Sequence, residues 1–176
     1  VDLTNEISSG RIAGLVAMRD TLLPNLHSQM QELATVLHDE INVLHNQGTA
    51  YPGLTSVTGS RTFDAADPPG WTGNFRVAVT DSAGTIVELL DIDLATVATV
   101  GDLVTAIDGM TNLSASLNAA GKLTITPTGA NRIAFNELDS TVTFGNQTLG
   151  ASNFLGLNDF FTSSNEYNEY NSSYQT

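Results

Sequence analysis

Nine apolar residues recur at helical spacing over thirty positions, and no single helix can hide a stripe of that length. They are Leu15, Met18, Leu22, Leu26, Met30, Leu33, Leu37, Ile41 and Leu44. Their separations are always three or four, averaging close to the ~3.6 residues of an α-helical turn. The opposite side carries Arg19, Asp20, Asn25, Gln29, Glu32, Asp39 and Asn46. Ser8, Ser9 and Gly10 offer N-cap candidates, and Gly48 is a natural stop. A helix over 11–47 would be roughly 55 Å long, more than the diameter of a domain built from the remaining residues. Pro24 lacks an N–H and would clash with the carbonyl four residues back, so a kink or short break is expected near Leu22–Leu23. The stripe therefore asks for partner helices, from elsewhere in the chain or from another subunit. Its nine residues are the candidate helix-packing interface.

Residues 1–48 thus form a helical, coiled-coil-like segment. Residues 49–72 change character: Pro52, Gly53, Gly59, Pro68, Pro69 and Gly70 punctuate a stretch with no period, which reads as a linker loop. Trp71 is expected to anchor its end onto the next domain. Residues 73–161 read as a small α+β domain. Phe75, Val77 and Val79 alternate with polar residues, predicting a strand with one buried face. Asp81-Ser-Ala-Gly84 predicts a hairpin turn into a return strand, Thr85 to Leu94. Thr99 with Asp102 predicts a capped helix whose apolar face is Leu103, Val104 and Ile107, with Met110 a further candidate. Leu113–Leu117 and Leu123–Thr126 predict a second hairpin, with further short strands at Ile133–Phe135 and Val142–Phe144. The order β-β-α-β-β, followed by more strand, implies a mainly antiparallel sheet with the helix on one face. Residues 162–176 contain only Ser, Asn, Glu, Tyr, Gln and Thr, and read as a flexible tail.

Charge narrows the partners. Six Lys and Arg against nineteen Asp and Glu give a formal charge of −13, which repels phosphate backbones and anionic lipid heads. Nucleic acid and membrane surfaces are not expected partners. The chain has no cysteine, which removes disulfides, thiolate metal sites and Cys nucleophiles together. No run of 18 apolar residues is present to cross a bilayer. Val1-Asp2-Leu3-Thr4 shows no signal-peptide pattern and no initiator Met, the expectation being an internal fragment.

Chemistry is sparse. His38 and His45 are seven residues apart on one helix, too far for one metal, and no His-Glu-x-x-His motif occurs. Asp91 and Asp93 alternate on a strand and face the same way. A paired-carboxylate or Ca²⁺ role is weighed there against an acidic solvent face that discourages edge pairing, and the latter is favoured. No Gly-x-Ser-x-Gly elbow and no phosphate-binding glycine loop is present. Of Phe160 and Phe161, at least one is expected in the core or packed on the linker. Tyr167, Tyr170 and Tyr174 could form a partner motif, though a disordered end is the plainer reading. No cofactor, metal, small-molecule substrate or catalytic residue is assigned.

Gly14-Leu15, Arg19-Asp20, Leu23-Pro24, Leu33-Ala34, Leu37 and Asn42 resemble the conserved helix of flagellar hook-associated protein 1, the FlgK type. Ser9-Gly10 stands where that family usually shows a Gly-Gly pair. Asp102–Ile107, Leu113–Leu117, Ala120–Thr126 and Arg132-Ile133 resemble the small domain inserted in the variable outer regions of flagellin-like proteins. Phe154–Phe161 is similar to a segment near the C-terminal region of some hook-associated proteins.

The resemblance implies a structural component of the bacterial flagellum, joining hook to filament. Its partners would be other axial proteins: the hook protein, the second junction protein and further copies of itself. It would be extracellular, exported through the flagellum's own type III channel without a cleavable signal, with the α+β domain exposed. The alternative is an extracellular adhesin or glycan-binding module on a helical stalk, with Trp71, the Asp91/Asp93 pair and the Asn-rich tail as contacts.

Overall fold

A computed structural model describes residues 9–145 and 147–162. The tail expected over 162–176 lies outside these residues except for Thr162. The chain divides into two compact units, Val1–Glu40 and Ile41–Thr176.

The first unit is helical. Helix α1 spans Gly10–Ala17, a π-helical turn follows at Met18–Leu22, and α2 runs over Leu23–Asn46, its last six residues belonging to the second unit. Pro24 causes no break. The helix widens one turn earlier instead: the Leu23 N–H donates to the Met18 carbonyl five residues back. A proline inside an α-helix loses one hydrogen bond and crowds the carbonyl four residues before it. Widening the preceding turn accommodates the ring while the helix continues.

Among the described residues, the second unit is α+β, with eight short strands and two further α-helices. The strands are β1 Val57–Thr58, β2 Asn74–Thr80, β3 Ile86–Asp93, β4 Leu113–Leu117, β5 Leu123–Pro127, β6 Arg132–Asn136, β7 Val142–Phe144 and β8 Gln147–Leu149. Helix α3 spans Val100–Asp108 and α4 spans Ala151–Leu155. All strand pairs are antiparallel, but they form three sheets rather than one: β3-β2-β6, β1-β5-β4 and β7-β8. Non-local pairing is the reason. Strand β6 returns to the free side of β2, with Val77 opposite Phe135, while β1 takes the free edge of β5.

The local signals form what their chemistry predicts. Phe75, Val77 and Val79 are fully buried on one face of β2. The Asp81 carboxylate accepts from the Ala83 and Thr85 N–H groups, and Gly84 supplies the positive φ that closes the β2–β3 hairpin. Those bonds, led by Thr85, hold Asp81 below the usual carboxylate range. Thr99 and Asp102 form a reciprocal capping box at the start of α3, whose Leu103 and Ile107 enter the core.

The stretch 49–72 has no period, yet it is laced to the domain. Leu54 bridges Ile133, β1 pairs with β5, and Thr72 bridges Thr141. Trp71 is buried, donating its indole N–H to the Val97 carbonyl at 2.7 Å and standing edge-on to Phe154.

Helix α4 starts without a side-chain cap of its own. Glu137 supplies one from a distance: its carboxylate accepts from the backbone N–H groups of Ser152 and Asn153 and from the Ser140 hydroxyl. Gly150 leaves the space, since a Cβ there would collide with the Glu137 carboxylate. Burial pushes Glu137 above its ordinary value of 4.5, and these three bonds offset only part of that.

Glu137→Ala should strand two buried N–H donors at a cost of about 2–4 kcal/mol, measurable by urea denaturation. The pH dependence follows from the raised pKa. A carboxylate that is harder to ionise when folded contributes stability below its unfolded pKa and loses it as pH rises through the folded value. The stability of the wild type relative to Glu137→Gln should therefore be greatest in acid and shrink toward neutral pH.

Candidate functional site

Eight of the nine stripe residues are solvent-exposed, at 49–69% of their full area, and Ile41 is half-buried. Ile12, Leu23 and Val36 add exposed apolar surface that the periodicity did not include. A helix of this composition leaves burial unrealised at every stripe position, each worth roughly 1.5–3 kcal/mol. The polar side of the first unit carries a salt bridge between Arg19 and Asp20 and a contact between His38 and Asp39 at 2.9 Å.

The last turn of α2 behaves differently. Asn42 and Asn46 are buried, although Asn46 reads in the sequence as part of the polar side. Asn42 exchanges two hydrogen bonds with the Phe161 backbone, donating to its carbonyl at 2.7 Å and accepting from its N–H at 2.8 Å. Its amide thus stands in for a peptide group of a neighbouring strand. Asn46 donates to the Asp159 carboxylate and to the Asn42 carbonyl, both at 2.9 Å. Its own carbonyl oxygen accepts from the Ser152 hydroxyl and the Asn158 N–H. Asn158 in turn donates to the carbonyls of His45 and Gly48, covering the otherwise orphaned end of the helix. The sequence offered one signal for this anchor: two asparagines four apart on a helix, where asparagine is a poor former unless its amide is used.

The remaining candidates are placed elsewhere. His45 donates to the Asn158 carbonyl and lies against Phe160, with ring centroids 5.4 Å apart. Phe160 and Phe161 stand edge-to-face outside the core. Phe160 instead lines a groove of about 760 Å³ with Ile41, Leu44, Tyr51, Pro52 and Leu54. Asp91 is held in a bidentate pair by Arg76, at 2.6 and 2.7 Å, which keeps its carboxyl below the usual range. Asp93 accepts from the Ala95 N–H. The two acids of β3 are thus each tied to a different structural partner. Among the described residues no group of three or more His, Asp or Glu is placed to hold a metal. No described helix is long and apolar enough to cross a membrane.

Residues 1–63 match the family model described as the flagellar hook-associated protein FlgK helical domain. Over that segment the chain is similar to the FlgK-type hook-associated proteins. No curated protein matches it. The matched segment contains α1, the π turn, α2 and β1, so the exposed stripe lies within the family's helical domain. The match associates the helical segment with the structural proteins of the bacterial flagellum.

Asn46→Ala should remove four hydrogen bonds and leave the Ser152 hydroxyl and Asp159 carboxylate short of a partner inside the protein. A loss of about 2–4 kcal/mol is expected in chemical denaturation, with the far-ultraviolet signal of the folded state unchanged.

Proposed function

We propose that this FlgK-type chain is a component of the junction between hook and filament. The stripe Leu15, Met18, Leu22, Leu26, Met30, Leu33, Leu37, Ile41 and Leu44 is its helix-packing interface. Its partners are helices of other axial proteins: the hook protein, the second junction protein, or further copies of the same chain. Residues 1–48 act as the axial segment, 49–72 as the connection, and 73–161 as an outer domain on the exposed surface of the tube. Export proceeds through the flagellum's own channel without signal cleavage, and the chain performs no catalysis.

The single observation supporting this reading is the exposed stripe within a segment matching a family of helical domains. A helix exposing so many leucines and methionines gains most by packing against another of the same kind. The adhesin alternative loses the described residues on which it rested. Trp71 is inside the core and Asp91 is engaged by Arg76.

Leu26→Asp combined with Leu33→Asp should remove two anchors of roughly 1.5–3 kcal/mol each, weakening helix packing by about 100-fold or more. In a flagellated strain carrying this change in the full-length chain, filaments should be shed into the medium and swimming lost. The melting of the α+β unit should be unaffected. A doubly substituted strain that swims normally and keeps its filaments would sink the reading.

A further inference from the structure

Glu137 is the only buried acid among the described residues, at 9% exposure. It stands on the wall of a cavity of about 420 Å³, and no other residue lining that cavity carries a charge or titrates. The titratable groups on the elements around it are engaged elsewhere. Asp139, on the same turn, accepts from the Asn74 N–H, and Arg132, at the far end of β6, donates to the Gly53 carbonyl. His45, in the last turn of α2, bonds to the Asn158 carbonyl, and Asp159 accepts from Asn46 and Ser60. An ionised Glu137 would therefore be a buried charge with no counter-ion, which is a costly arrangement.

The two carboxyl oxygens are loaded unequally. Oε2 accepts from the Ser140 hydroxyl at 2.8 Å and from the Ser152 N–H at 3.1 Å, while Oε1 accepts from the Asn153 N–H at 3.0 Å. Asn153 is itself only 4% exposed, and its side-chain Oδ1 is buried with no hydrogen-bond partner. A carboxylate can only accept, so it leaves that oxygen unpaired; a carboxylic acid carries one O–H donor. The same residue thus brings an N–H to Oε1 and an orphaned acceptor to the same wall of the cavity.

We propose that Glu137 is held in the folded protein as the neutral acid, donating a proton from Oε1 to Asn153 Oδ1, and that this proton is the clasp that closes α4 onto the turn between β6 and β7. The inference is independent of the packing role proposed above. Burial acts in the same direction, raising Glu137 above its ordinary value. The segment from α4 to Phe161 then has two fastenings of different kinds. At its far end the amides of Asn42 and Asn46 hold it through donors and acceptors that carry no exchangeable charge of their own. At its near end the fastening needs a proton, and the cavity lets that proton exchange with the solution. The clasp is closed in acid and loosens as pH rises through the folded value. Ionisation then lifts the first turn of α4 from Glu137 to admit water.

The test follows the Glu137 carboxyl carbon by NMR in the isotopically labelled full-length chain, with Glu137→Gln assigning the resonance. Glu137 should stay protonated after the exposed glutamates have ionised; titration together with them overturns the proposal. Asn153→Leu keeps the site buried and removes the acceptor. Loss of a hydrogen bond made only by the neutral form should lower the midpoint by roughly half to one pH unit. Burial alone would leave the midpoint unchanged or raise it, and either result overturns the assignment of Asn153 as the proton's partner. Hydrogen exchange on the wild type tests the clasp without any substitution. Corrected for the intrinsic rate, the Ser152 and Asn153 amides should lose protection above the Glu137 midpoint, while the Asn158 amide keeps its own. Equal protection of Ser152 and Asn153 on both sides of the midpoint overturns the clasp.

Discussion

The amide of Asn46 is the constraint on which the second unit turns. It sits at 1% exposure and holds four partners: Ser152, Asn158, Asp159 and the Asn42 carbonyl. Through those bonds the end of α2 is tied to the segment that follows α4. A buried amide left half-satisfied would cost more than it contributes, so the network favours one arrangement over nearby alternatives. Glu137 plays the matching part at the other end of that segment, holding the first turn of α4 by its N–H groups. The residues between, Phe154 and Leu155, are thereby committed to the core beside Trp71 and Phe63.

The two units differ in how much apolar surface each buries by itself. The α+β unit has an interior of its own, with Phe75, Leu103, Ile125 and Leu155 buried almost completely. The helical unit has no buried residue in α1 or in the π turn. Helices in water draw most of their stability from an apolar face packed on something else. The stripe leaves apolar surface uncovered within the segment that matches the FlgK helical domain.

Much of the local architecture was legible residue by residue. The 3.6-residue period announced the helix, Thr99 and Asp102 announced the start of α3, and Asp81 with Gly84 announced the first hairpin. Each of these depends on residues within a few positions of one another. The stretch 49–72 was read as a loop because β1 is only two residues long and pairs with β5, more than sixty residues later. No periodicity can reveal so short a strand. Trp71, by contrast, was correctly expected to anchor it, because a lone indole in a polar segment gains most by burial.

The sequence alone determined that a long helix would form, that its stripe would be apolar, and that an antiparallel α+β domain would follow. Period, capping and turn chemistry are local, and a local pattern has one physical meaning. The fold decided that Asn42 and Asn46 would be buried, that the strands would divide among three sheets, and that Glu137 would cap a helix fourteen residues on. It also placed a widened turn ahead of Pro24, where the residues themselves say only that the α-helix must be perturbed. Whether an asparagine is a solvated surface group or a buried clamp depends on what the distant chain brings against it, and that partner is set by three-dimensional packing.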